Sequence, residues 1–197
     1  MDIELPSAAS EVLDFWFGTP GSPDYLQPRK AWFSKNLDFD AEIRERFGSR
    51  IEAAIAGALD AWTATPPGAL ARILLLDQFT RNSWRDTPRT FAGDAQALAA
   101  ARAMVATGQD LQLPPVQRGF AYLPYEHAED LAAQDESVRL FTALAQQAPD
   151  QAEDLDYAHR HREIVRRFGR FPHRNAILGR TSTPEELAFL KQPGSSF

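Results

Sequence analysis

The polar residues best suited to chemistry in this chain lie on helical faces that are otherwise apolar. Asp77 and Arg81 are four residues apart and continue a face whose earlier positions are leucines, and Gln78 and Asn82 share the neighbouring face. Burying a charge is costly unless it is paired, so we expect Asp77 and Arg81 to be paired and at least partly buried. Such a pair is consistent with a bond that fixes helix packing or with a ligand site.

His127 is the candidate for acid–base chemistry. It has helical spacing from the apolar residues before it, and three acids surround it: Glu126, Glu129 and Asp130. Because carboxylates raise the pKa of a nearby imidazole, His127 with Glu129 or Asp130 is suited to exchange a proton with a ligand. His161 lies on the apolar stripe of a later helix. For both histidines the alternative is a core imidazole that is hydrogen-bonded to a carboxylate or carbonyl group.

The strongest charge asymmetry lies between Arg160 and Arg180. This stretch has seven arginines and one acid, so it carries +6 and leaves −12 on the remainder of a chain whose net charge is −6. Within it, Gly169 lets the chain leave its helix abruptly, and Pro172 limits the backbone freedom of the loop that follows. The loop carries four candidate ligand contacts: Arg170, His173, Arg174 and Asn175. We expect an anion site with Arg170 and Arg174 as the ligand contacts. The alternative is an Arg-rich surface that neutralises the acidic remainder.

Several classes of protein are excluded by what the sequence lacks. The absence of Cys excludes disulfides, Cys-ligated metals and a thiol nucleophile. No phosphate-binding Gly-x-x-x-x-Gly-Lys loop and no Gly-x-Ser-x-Gly motif occurs. His127 and Asp130 provide only two ligands, and two ligands do not make a metal site. We therefore expect no metal and no cofactor.

Charge and hydropathy indicate which partners and which cellular location to expect. A net charge of −6 argues against a nucleic-acid partner. The acidic first residues do not resemble a secretory signal, and no apolar run approaches the ~20 residues that a membrane span needs. We expect a cytoplasmic protein with no membrane partner. The sequence does not indicate an oligomeric state.

The elements that must position these residues are helices. Apolar periodicity predicts about nine helical segments, and no stretch of four residues alternates as a half-buried strand does. The segment Ala69–Leu76 is apolar on nearly every side, which is typical of a central buried helix. Thr183-Pro-Glu-Glu186 has the pattern of a capping box. We expect one all-α domain, residues 1–197, built of antiparallel helix hairpins.

Three longer strings resemble one protein family. They are Asp77-Gln-Phe-x-Arg-Asn82, Tyr122-Leu-Pro-Tyr-Glu-His-Ala-Glu-Asp-Leu131 and Phe168-Gly-Arg-Phe-Pro-His-Arg-Asn-Ala-Ile-Leu-Gly-Arg180. Over nearly the whole chain the sequence resembles the bacterial family catalogued as domain of unknown function 924. Two positions depart from its pattern. Thr80 stands where a Pro is usual, and Ala128, where a Ser is usual, removes a hydroxyl beside His127.

The resemblance implies a tetratricopeptide-like, all-helical fold and no established activity. Its signature positions coincide with the polar residues identified above and support one clustered site. They are Asp77, Gln78, Arg81, Asn82, His127, Glu129, Asp130, His161, Arg170, His173, Arg174 and Asn175.

Three functions are compatible with these residues. The first is a helical binding module that takes a peptide or a small ligand. The second is an enzyme acting on a phosphate- or carboxylate-bearing small molecule, which Arg81, Arg170 and Arg174 hold while His127 transfers a proton. The third is a polar cluster that only fixes helix packing.

Overall fold

The computed structural model describes residues 4–196, and over this range the chain folds into helices without a β-strand. The all-α prediction is therefore confirmed. Its nine α-helical segments are α1 (Ser7–Phe17), α2 (Leu37–Ile55), α3 (Pro66–Leu74), α4 (Thr80–Ser83), α5 (Asp94–Ala106), α6 (Pro115–Glu126), α7 (Leu131–Gln147), α8 (Ala152–Phe168) and α9 (Pro184–Phe189). None of these helices is long and apolar enough to span a membrane. Residues 1–3 and 197 of the predicted domain lie outside the described residues.

Consecutive helices pack on one another in the second half of the chain. Connections of four residues join α6 to α7 and α7 to α8, and each pair is in extensive contact, as in helix hairpins. The described α-helices range from four to 19 residues, and short 3₁₀ turns separate many of them. The tetratricopeptide-like description is therefore only loosely supported, because no unit of constant length repeats.

Aromatic side chains form the core where α1, α2 and α6 meet. Trp16 and Phe17 of α1 are fully buried. The ring of Phe79 lies 5.3 Å from that of Trp16, and the ring of Phe120 lies 5.4 Å from that of Phe17. Such pairs stabilise beyond their buried area. This core fixes the two segments that carry Asp77 and the motif of α6.

A π-helical turn, Leu75–Phe79, connects α3 to α4 without a break. The whole stretch from Ala69 to Leu76 is buried, which confirms the predicted central helix. Asp77 and Gln78 lie inside the π turn. A π turn inserts an extra residue into an α-helix and is frequently found at functional sites.

Gly93 lets the start of α5 approach this π turn closely. A Cβ atom at Gly93 would lie 2.1 Å from the carbonyl oxygen of Leu76, so no larger residue fits without a backbone shift. The contact places Asp94, the first residue of α5, beside Arg81. Glycine at this position is thus what brings α5 to the polar cluster.

Candidate functional site

Asp77 is the centre of a buried polar cluster, which we call the Asp77 cluster. Its members are Asp77, Gln78, Arg81, Asp94, His127 and Arg174. Asp77 is 1% exposed, and its Oδ1 atom lies 2.9 Å from a guanidinium nitrogen of Arg81 and 2.7 Å from Nδ1 of His127. Gln78 donates to Oδ2 at 2.5 Å. The predicted pairing and burial of Asp77 and Arg81 are confirmed. Burial favours a raised pKa for Asp77, but the charge of Arg81 and the contact with His127 outweigh it and hold that pKa well below its usual range.

His127 presents one ring nitrogen, Nδ1, to Asp77. Burial, together with the charge of Arg81, lowers the pKa of His127, so the imidazole is neutral at pH 7. Because Asp77 is ionised, Nδ1 carries the ring proton and donates a hydrogen bond to Asp77. Nε2 is then left with a lone pair. Nε2 makes no hydrogen bond to any described residue, and the side chain is 16% exposed. The cluster therefore offers a hydrogen-bond acceptor, and a base, to a molecule arriving from solvent.

Arg81 and Arg174 surround this dyad and share Asp94. Arg81 forms a two-pronged pair with Asp94 at 2.8 and 3.1 Å, whereas Arg174 reaches the same carboxylate at 3.4 Å. Arg174 also donates to the carbonyl oxygen of His127 at 3.0 Å. The two arginines and the two aspartates balance, so the cluster has no net charge when His127 is neutral.

Arg174 is held more tightly than a surface ligand contact would be. Its guanidinium lies between the rings of Phe91 and Phe171, 4.6 Å from each centroid. Burial, assisted by the charge of Arg81, lowers the pKa of Arg174 to about 10. These contacts join the loop after α8 to the start of α5.

A second acid–imidazole pair, Glu126 with His161, lies behind the first. His161 Nδ1 is 3.2 Å from Glu126 Oε1 and 2.9 Å from the carbonyl oxygen of Tyr157, and the rings of His161 and His127 are 6.3 Å apart. Burial raises the pKa of Glu126 well above its ordinary value, with the charge of Asp154 adding to the effect. Burial also lowers the pKa of His161 to about 3. His161 is therefore neutral at pH 7, and the burial of Glu126 favours its protonated form.

Glu129 and Asp130 do not contact the imidazole of His127. Glu129 forms a two-pronged pair with Arg180 at 2.6 and 2.8 Å and accepts the backbone N–H of Phe171 at 2.7 Å. Asp130 caps α7 by accepting the N–H of Ala133 at 2.7 Å. The expectation that one of these acids partners His127 is corrected here, since Asp77 occupies that position.

The loop predicted to hold an anion is tied to α9 instead. Arg170 pairs with Glu186 at 2.7 and 2.9 Å, and Asn175 donates to the same carboxylate at 3.3 Å. Thr183 and Glu186 form the predicted capping box at the start of α9. Burial lowers the pKa of His173 to about 4, with the charge of Arg174 contributing. Every member of the loop therefore has protein contacts, and the anion site remains a prediction.

The structure thus brings together only part of the predicted set. Asp77, Gln78, Arg81, His127 and Arg174 share one cluster, and His161 lies next to it. Asn82 is bound to Asp40 at 2.7 Å on another side of the helix.

Sequence reasoning missed Asp94 and named Glu126 only as one of the acids around His127, not as the partner of His161. The signal for Glu126 was available, because α6 is buried on nearly all sides and an acid within it must be buried too. No comparable signal marks Asp94, because an acid in the first turn of a helix is ordinary.

Two grooves on the described surface have room for small molecules or ions. One groove is lined by side chains of α5, α6 and α7, and another by residues 4–14. Neither is lined by the Asp77 cluster, in which Arg81, Asp94 and His127 are each partly exposed. Among the described residues, no group of three or more His, Asp or Glu side chains is arranged to hold a metal ion.

Comparison with known proteins identifies the family of this chain. A family model described as bacterial protein of unknown function (DUF924) matches residues 12–194. The chain belongs to this family. The Asp77 cluster therefore lies in a DUF924 protein. A solved structure, that of a protein of unknown function, ATU0120, from Agrobacterium tumefaciens, is similar at 39% identity with a TM-score of 0.81, and the match covers 95% of this chain and 99% of that one. No curated protein matches the chain.

Proposed function

We propose that this DUF924 protein is a helical binding module whose ligand contacts the Asp77 cluster at Nε2 of His127. The observation that carries the proposal is the 2.7 Å contact between Asp77 and His127 Nδ1 together with the unpartnered Nε2. A purely structural histidine commonly satisfies both nitrogens inside the protein. Here one nitrogen is fixed by a buried carboxylate, and the opposite nitrogen makes no hydrogen bond to any described residue.

The chemistry of the ligand follows from the protonation of His127. A neutral imidazole with its proton on Nδ1 accepts a hydrogen bond at Nε2. The ligand therefore presents a donor, such as a hydroxyl or an ammonium group, to this nitrogen. A small molecule and a peptide side chain both satisfy this requirement.

A panel of small alcohols, amines, amino acids and short peptides tests the proposal by thermal shift at fixed pH and ionic strength. A compound that binds the folded protein raises its melting temperature by mass action. In the His127→Asn variant, the amide nitrogen replaces Nδ1 as the donor to Asp77, whereas Nε2 is lost. His159→Asn on the exposed side of α8 is the matched control. We expect the rise to disappear in the first variant and to persist in the second; a rise that persists in both contradicts the proposal.

A second candidate is an enzyme that acts on an anionic small molecule. It is favoured by the same pair, because a carboxylate that orients a neutral imidazole is the arrangement of a general base. His127 would remove a proton from a hydroxyl group or a water molecule. The substrate anion would compete with Asp94 for Arg174, whose contact with Asp94 is the longest in the cluster at 3.4 Å. Conversion of a bound compound by the wild type, but not by His127→Asn, would favour the enzyme over the binding module.

A further inference from the structure

The groove between α5, α6 and α7 lies apart from the Asp77 cluster and has a volume of about 340 Å³. Its apolar lining consists of Val105, Ala106, Ala132 and Ala133. Short alanine side chains leave this space between the helices. The volume is at the small end of the range for ligand sites, which suits a compact molecule.

Tyr125, which also lines this groove, provides a hydroxyl group. Its side chain is 3% exposed, yet the hydroxyl group makes no hydrogen bond to any described residue. Burial, together with the charge of Glu136, raises the pKa of Tyr125 to about 12, so the hydroxyl keeps its proton and can donate it. A buried tyrosine usually finds a hydrogen-bond partner, and here the groove is where that partner would lie.

Arg102 provides an available positive charge at the same groove. Its guanidinium forms a long ion pair with Asp130 at 3.7 Å and makes no hydrogen bond within the described residues. Asp130 already accepts the N–H of Ala133 as the cap of α7. Glu136, the acid that lines the groove, is neutralised by Arg139 in a two-pronged pair at 2.6 and 2.8 Å. The groove therefore offers a guanidinium group whose ion pair with Asp130 is long, at 3.7 Å, and whose remaining N–H donors are available to a ligand.

We propose that this groove binds a small organic acid, whose carboxylate pairs with Arg102 and whose short apolar body lies against the alanines, with the Tyr125 hydroxyl as the second polar contact. Guanidinium groups bind carboxylates with particular strength and geometry. The apolar lining favours an organic acid over inorganic phosphate. The nearby carboxylates of Asp130 and Glu136 disfavour a ligand of higher negative charge.

Amide NMR titration of the full-length protein with acetate, butyrate and benzoate tests this site. Inorganic phosphate and butylamine at matched ionic strength are the comparison probes. We expect butyrate and benzoate to shift the amide signals of Ala132, Ala133 and Val105, with weaker effects from acetate. Phosphate and butylamine should leave these signals unchanged.

Two substitutions separate the contacts. Tyr125→Phe should weaken butyrate binding about three- to tenfold, and Arg102→Gln should weaken it about tenfold or more. Neither removes a hydrogen bond within the described protein, so both variants should fold. Tyr157→Phe and Arg44→Gln, both at exposed positions, are the matched controls and should bind as the wild type does.

Three results would overturn the proposal. In the first, no carboxylate shifts these amides, which means that the hydroxyl holds only water. In the second, binding is equal in Tyr125→Phe, Arg102→Gln and the wild type. In the third, phosphate or butylamine binds as tightly as butyrate does.

Discussion

Replacing Asp77 by Asn should destabilise the protein by about 3 kcal/mol. Loss of one partner from a buried ion pair costs roughly 3–5 kcal/mol. Asp77 is 1% exposed and contacts Arg81 at 2.9 Å and His127 at 2.7 Å, so it belongs to the buried class. The lower end of the range applies because Arg81 keeps its two contacts with Asp94.

Urea unfolding measures this effect. With a slope of about 3 kcal/mol per molar, the midpoint should fall by about 1 M. Asp156→Asn is the matched control, because Asp156 pairs with Arg160 four residues later and both side chains are more than half exposed. The control should lose less than about 1 kcal/mol. Equal midpoints for the two variants would refute the reasoning.

The stability difference between the wild type and Asp77→Asn should depend on pH in a direction that the pKa of Asp77 determines. The folded-state pKa of Asp77 lies well below its ordinary value of 3.8. The ionised carboxylate therefore stabilises the wild type fully above that value, and this contribution is lost as the pH falls below it. The wild type and Asp77→Asn should thus converge in stability under acid conditions. A gap that stays constant into acid would contradict the assignment of the effect to the carboxylate charge.

Three further outcomes are expected. Burial raises the folded-state pKa of Glu126, so the wild type loses stability as the pH rises above the ordinary value of 4.5. Glu126→Gln should therefore gain stability relative to the wild type in urea melts as the pH rises above that value, and no gain would contradict the raised pKa. Gly93→Ala should cost about 3 kcal/mol through its clash with the Leu76 carbonyl, whereas Gly48→Ala in open space on α2 should gain ~0.5–1 kcal/mol; the same sign for both would rule out the close approach. His161 should remain neutral at about pH 5 by ¹⁵N NMR, since burial lowers its pKa to about 3, and an imidazolium signal there would refute its burial.

Local patterns predicted the fold well. Helical periodicity, the capping box at Thr183 and the apolar run from Ala69 all correspond to elements of the structure, because short-range spacing determines them. The pairing of Asp77 with Arg81 was predictable for the same reason, since four residues span one helical turn.

Long-range partners were not predictable from one sequence. His127 and Asp77 are 50 residues apart, and the side chain that meets the imidazole depends on how α6 packs against the π turn. Nearby acids such as Glu129 were the obvious local choice, yet the helix ends at Glu126 and the chain turns Glu129 toward Arg180. An arginine-rich stretch likewise does not reveal which acids neutralise it.

Part of the candidate site is thus a property of tertiary packing. The residue types were identifiable because polar groups stood on apolar faces. Their roles depended on the close approach of α5 at Gly93 and on the position of the π turn, and neither has a sequence signature of its own.

The most direct test of the proposed ligand contact is the protonation state of the His127 ring, measured by ¹⁵N NMR of selectively labelled imidazoles between about pH 6 and pH 8. The Asp77 contact predicts a ring that is neutral at pH 7 and above, with its proton on Nδ1 and a lone pair on Nε2, and a downfield-shifted proton that is hydrogen-bonded to Asp77. Asp77→Asn should change the Nδ1 signal, whereas His159→Asn should not. A ring with its proton on Nε2, or an imidazolium at pH 7, would contradict the claim that His127 offers an acceptor to a ligand.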